Sequence, residues 1–129
     1  MAYEPLMDGK STPNVYGEHE YKIRATFGSS SAVTFRSKDA TIAKTTTTTF
    51  TVTLPKPYAE ITTFSVGRKA AASVAGLEFI ITTDNVATDG TLVLTSIIAN
   101  GTATAPADGD VVYLVIGVSC DTQNDKFTG

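Results

Sequence analysis

The sequence predicts an all-β fold, an antiparallel β-sandwich or small barrel of seven or eight short strands behind an extended N-terminal arm. Three observations carry that expectation. Threonine is unusually common, with 22 in 129 residues, and like Val, Ile and Phe it suits a pleated sheet but loses rotamer freedom in a helix. Apolar residues recur with period two in several short stretches. Turn residues, many of them Gly-containing, punctuate the chain about every eight to twelve residues. The apolar fraction of 42% and charged fraction of 18% are those of a globular chain, and this length supports one hydrophobic core.

Residues 1–20 carry Pro5, Pro13 and Asp8-Gly9 with no sustained period, so they read as an extended arm. Its apolar residues, Tyr3, Leu6, Met7, Val15 and Tyr16, are spread along it. Such an arm is either a frayed terminus or a segment lying on a neighbouring subunit. A single β-domain is expected over residues 21–120, followed by a short polar tail over 121–129.

Within the domain, Tyr21, Ile23, Ala25 and Phe27 alternate with Lys22, Arg24 and Thr26, as in a half-buried strand ended by Gly28-Ser29-Ser30-Ser31. A second strand runs from Ala32 to Arg36, and a third includes Ala40 to Ala43. From Thr45 to Leu54, Phe50, Val52 and Leu54 share one face while Thr47, Thr49, Thr51 and Thr53 share the other. Pro55 and Pro57 stop this strand, because proline cannot donate to a central ladder. Tyr58 to Val66 resumes with Phe64 and Val66 in phase and Ile61 out of phase, which predicts a bulge.

The stretch from Gly67 to Ser73 predicts a loop or a single helical turn. Leu77, Phe79 and Ile81 then alternate with Glu78, Ile80 and Thr82 up to a turn at Thr83-Asp84-Asn85, and Leu92 to Ile98 follows. Asp89-Gly90, Asn100-Gly101 and Asp108-Gly109 tolerate the positive φ of sharp reversals and predict antiparallel connections. The last strand, Val111 to Cys120, is apolar on both faces, as in a central strand covered on both sides or one closed by a subunit contact.

No catalytic set emerges, and the chain reads as a protein other than an enzyme. His19 is the sole histidine and lies beside the arm, and no Gly-x-Ser-x-Gly elbow occurs. One Cys and one His cannot make a structural zinc site. Glu18-His19-Glu20 reads as a solvated polar stretch, because neighbours on an extended segment point in alternating directions. Asp84, Asp89, Asp108 and Asp110 lack the spacing of a dedicated calcium loop, and turn chemistry accounts for them. No metal and no cofactor is therefore expected. Cys120, the single cysteine, reads as a buried packing thiol.

Net charge is −3 with a pI near 5.0, and the ten Lys and Arg are scattered, so nucleic acid is not an expected partner. The longest apolar run, Val111 to Val118, is far short of the roughly 20 residues that span a bilayer, so no membrane partner is expected either. The opening residues carry acid where a signal peptide carries base. Without Trp a sugar-stacking platform has no support. The Thr47, Thr49, Thr51 and Thr53 face resembles the threonine arrays of ice-binding proteins, but one strand alone carries it, so an ordinary exposed sheet face is expected. Arg68 and Lys69 form a basic loop that is either solvated or set against an acidic neighbour.

Three segments, Thr51-Val52-Thr53-Leu54-Pro55, Asp89-Gly90-Thr91-Leu92-Val93-Leu94 and Asp108-Gly109-Asp110-Val111-Val112-Tyr113-Leu114, resemble small bacteriophage virion structural proteins. The likeness spans about residues 45 to 119. It implies a capsid decoration or cement protein on the capsid surface of a virion assembled in the host cytoplasm. Implied partners are the major capsid protein or other virion subunits, with a homo-oligomer, a trimer, as the assembly. Tyr3, Leu6, Met7, Val15, Tyr16, Arg68 and Lys69 are the candidate contact residues. The rival expectations are a tail, baseplate or fibre component, and a glycan-binding attachment module using loops near Asp84 to Gly90 or Ala105 to Asp110.

Overall fold

In the computed structural model, which describes residues 18–71 and 76–120, period-two alternation becomes eight strands among the described residues. They are β1 (Glu18–Phe27), β2 (Val33–Ser37), β3 (Thr41–Lys44), β4 (Thr49–Thr53), β5 (Glu60–Lys69), β6 (Glu78–Asn85), β7 (Thr91–Ile97) and β8 (Val111–Ser119). A 3-10 turn at Ser29–Ser31 links β1 to β2, and a four-residue helix α1 (Val86–Asp89) links β6 to β7.

Two four-stranded sheets result, sheet I in the order β2-β1-β8-β5 and sheet II in the order β3-β4-β7-β6. Every pairing is antiparallel. Three links, β1–β2, β3–β4 and β6–β7, stay within a sheet, while β2–β3, β4–β5, β5–β6 and β7–β8 cross between sheets. The fold is a β-sandwich, as the sequence predicts.

The inward phase of each strand supplies the core. Phe27 of β1 packs on Phe50 of β4 at 4.9 Å between centroids and stacks on Phe79 of β6 at 5.5 Å. This trio joins the sheets, and ring pairs of this kind contribute about 0.5–1.5 kcal/mol beyond their buried area. Val112, Leu114, Ile116 and Val118 of β8 and Leu92 and Leu94 of β7 fill the space around it. The expected bulge lies between Ile61 and Thr63, and a second lies between Ile81 and Thr83.

Five expectations are corrected. β1 begins at Glu18, so the last three residues of the 1–20 segment belong to sheet I, where Glu18, His19 and Glu20 pair with Ser119, Val118 and Gly117. The threonine run is split: the amides of Thr45 and Thr46 donate to the carbonyl of Thr49 at 2.9 and 3.1 Å, so 45–48, including Thr47, form the reversal between β3 and β4. The hydroxyl oxygen of Thr46 accepts from the amide of Thr49 at 3.1 Å, the local side-chain bond by which Thr favours turns.

Gly67, Arg68 and Lys69 are strand and not loop or helix, held by pairing with Tyr113, Val112 and Val111. Cys120 is exposed, because β8 ends at Ser119 and leaves the thiol beyond the sheet. Finally, Asp108-Gly109 closes no hairpin: it lies on the β7–β8 crossover, where the Gly109 amide donates to the Phe27 carbonyl at 2.6 Å.

Candidate functional site: two outward sheet faces

The arm residues Tyr3, Leu6, Met7, Val15 and Tyr16 lie outside the described residues. Of the two remaining candidates, Lys69 is exposed at the end of β5. Arg68 takes the inward phase, opposite Val112, and its guanidinium donates to Asp110 through Nε at 3.2 Å and Nη2 at 2.8 Å. Asp110 is fully buried and also accepts from the amides of Ala71 at 2.8 Å and Ala107 at 3.0 Å. Burial alone would push its carboxyl up. The hydrogen bonds from Ala71, Arg68 and Ala107, with the charge of Arg68, outweigh burial and hold it below the usual range. Arg68 is thus part of a structural clamp between β5 and the entry to β8, and Lys69 alone of the pair faces outward.

A further interior polar contact lies near the opposite end of β1. His19 and Tyr21 take the inward phase and both rings meet Tyr58, at 5.6 and 6.0 Å. The hydroxyls of Tyr21 and Tyr58 bond to each other. Burial and that bond raise the Tyr21 pKa. His19 therefore has a fixed place, contrary to its expected position beside a loose arm.

Outside the core, register assembles what the linear sequence disperses. On sheet I the outward positions of β1 are Glu18, Glu20, Lys22, Arg24 and Thr26. Arg24 lies opposite Arg36 of β2 on one side and Tyr113 of β8 on the other, with its guanidinium carbon 5.9 Å from the Tyr113 ring centroid. Tyr113 is 44% exposed, the largest value among the exposed large hydrophobics of the described residues. A hollow of about 260 Å³ opens between Lys22, Arg24, Arg36, Tyr113 and Val115.

The charges on this face are sorted by end. Val111 pairs with both Thr26 and Lys69, while Ser119 pairs with both Glu18 and Glu60. Cations Arg24, Arg36 and Lys69 therefore occupy the end where β8 begins, and acids Glu18, Glu20 and Glu60 the end where it finishes. Lys22 stands between them, 3.8 Å from Glu20. The scatter of basic residues in the sequence is corrected by the fold. The signal was present in their outward phase on β1, but strand order was needed to join β2 and β5 to it.

Sheet II presents a different surface. Thr41 of β3, Thr53 of β4 and Thr91 of β7 fall in one row across the sheet, and Thr49 pairs with Thr95 in another. The expectation of a threonine ladder confined to one strand is thereby corrected. Hydroxyls bond to one another, Thr82 to Thr95 at 2.8 Å and Thr45 to Thr51 at 2.6 Å. Val93, Ala43, Ile80, Ile97 and Glu78 also lie on this face.

Among the described residues no three His, Cys, Asp or Glu side chains group as a metal site, and no helix is long and apolar enough to cross a membrane. The loop aspartates serve turns: Asp84 accepts from the Val86 amide at 3.0 Å, and Asp89 from the Thr91 amide and hydroxyl at 3.1 and 2.6 Å. Comparison with family models, curated proteins and solved structures finds no match for this chain.

Proposed function

We propose that this protein is a structural subunit of a bacteriophage virion, a capsid decoration or cement protein that works by packing against neighbouring subunits and not by catalysis. One observation carries the reading: β8, one of the two interior strands of sheet I, turns Tyr113 and Val115 outward into a hollow bordered by cations. A lone sheet with one wet face places polar residues there, whereas interfaces are enriched in Tyr and Arg at their centres.

The resemblance of residues 45 to 119 to small virion proteins supports the same reading, with the major capsid protein as the first candidate partner and a homo-oligomer as the assembled form. Residues 1–17 precede β1 and carry Tyr3, Leu6, Met7, Val15 and Tyr16, which supply further apolar contact area in this proposal.

The test is localisation. Particles labelled with antibody against the chain and viewed by electron microscopy should carry label over the head. Readdition of the protein to particles that lack it should raise their resistance to heat or chelator. Label at the tail alone assigns the chain to a tail or fibre component, and no label on particles ends the virion reading.

A further inference from the structure

We infer that the outward face of sheet I is a self-complementary surface that binds a second copy of this chain about a two-fold axis. The inference rests on register and charge, and it stands apart from the virion reading.

The row of Val115 is the midline. Val115 pairs with Lys22 on one side and Ser65 on the other. One outward row toward one end brings Glu20 and Thr63, beside Gly117. One outward row toward the other brings Arg24 and Gly67, beside Tyr113. The next rows hold Glu60, beside Ser119, and Lys69, beside Val111. Two acids thus have a cation on the same strand at the same distance beyond the midline, Glu20 matching Arg24 and Glu60 matching Lys69, while Glu18 is matched by Thr26.

Two such sheets laid face to face, related by a two-fold axis across the strands at Val115, reverse strand direction and keep strand position. Glu20 of one copy then faces Arg24 of the other, Glu60 faces Lys69, and each pair occurs twice, as an isologous contact requires. Lys22 falls on the axis row and faces Lys22 of the second copy, a like-charge contact that only the nearby Glu20, 3.8 Å away in the same chain, offsets. Tyr113 meets the Gly117 row, whose surface is formed by Thr62 and Thr63, the side chains that close over Gly117.

A three-fold ring uses two different patches on each copy, so it draws nothing from this mirrored arrangement. Nucleic acid fits the cationic end but is repelled by the acidic end of the same face.

The shared area is small. Three strands, β1, β8 and β5, at about 4.8 Å and nine residues long at about 3.3 Å cover roughly 430 Å² per copy, because β2 has five residues and overlies only one end. Two copies bury about 850 Å², which makes the contact weak and salt-sensitive.

The experiment measures the mass of the full chain by sedimentation at low salt, from micromolar to millimolar concentration. Wild type should shift from monomer to dimer. Glu20→Lys with Glu60→Lys, and separately Arg24→Glu with Lys69→Glu, turn all four pairs repulsive and should each weaken dimerisation by roughly tenfold or more. All four positions are outward, so circular dichroism and melting of each variant should match wild type. Mixing the two variants restores every pair and should return a dimer containing one chain of each.

A wild-type monomer throughout, a trimer untouched by the substitutions, or a mixture that fails to pair would each overturn the inference. None of these measurements involves a particle, so a failure here is distinguishable from a failure of the virion reading.

Discussion

The outward faces of sheets I and II arise from the same alternation over one shared core, yet one is charged and centred on Tyr113 while the other is threonine-rich with Val93, Ala43 and Ile80 among its hydroxyls. The inward phase of both is constrained in the same way, since a residue there must fill space around Phe27, Phe50 and Phe79. The outward phase has no such constraint. Sheet I uses it for long side chains whose charges remain available to another molecule, as with the exposed Glu20–Lys22 pair. Sheet II uses it for short side chains that satisfy one another, as Thr82 and Thr95 do. Charge is therefore concentrated on sheet I, while the outward face of sheet II is mostly hydroxyl and apolar.

The comparison can be broken or sharpened by substitution. The largest effect is expected where both faces lose their common support. Phe27→Ala opens a cavity at the contact between sheets and should cost about 3–5 kcal/mol in urea unfolding, altering both faces together. Asp110→Ala removes one partner of a buried ion pair and leaves the amides of Ala71 and Ala107 without their acceptor. It should cost about 3 kcal/mol or more, and it acts on sheet I first, since Arg68 lies on β5.

The same carboxyl sets a pH dependence. Because its folded pKa lies below the unfolded value of about 3.9, its contribution is complete above that value and is lost as pH falls through the folded one. Melting temperature against pH should therefore fall less steeply below about pH 4 in Asp110→Asn than in wild type.

Gly90→Ala should cost about 1–3 kcal/mol through sheet II. Gly90 has φ of +78° and its added methyl would lie 2.8 Å from the Lys56 carbonyl oxygen. The smallest effects separate the faces themselves. Tyr113→Ser and Thr51→Lys should each change stability by no more than about 0.5 kcal/mol, yet under the proposed virion role the first should reduce particle binding and the second should leave it intact. Equal loss from both would remove the distinction between the faces.

Much of the fold was legible in the sequence because burial writes itself into period two. Ile23, Ala25 and Phe27, then Phe50 and Val52, then Leu92 and Leu94 are all buried where alternation places them. Even the bulge beside Thr62 shows as a phase slip. Register between distant strands was not legible, since alternation fixes which side a residue faces but not its neighbour across the ladder. For that reason Arg36 and Lys69 could not be joined to Arg24, nor Thr41 and Thr91 to Thr53. Arg68 misled for a related reason: a basic residue followed by alanines has no local mark of a strand, and its partner Asp110 lies 42 positions away. Cys120 misled because the apolar run gives no sign of where pairing stops.

The pairing of β1 with β8, nine registered positions long, has a consequence for how the molecule is made. β1 is the earliest described strand to leave the ribosome and β8 the latest, and synthesis proceeds at about 5–20 residues per second. Until β8 is released, β1 and β5 have no neighbour between them and their cationic and aromatic side chains sit on unjoined ribbons. Sheet II can zip in the meantime from β3, β4, β6 and β7, so the charged surface of sheet I takes shape only once β8 has emerged.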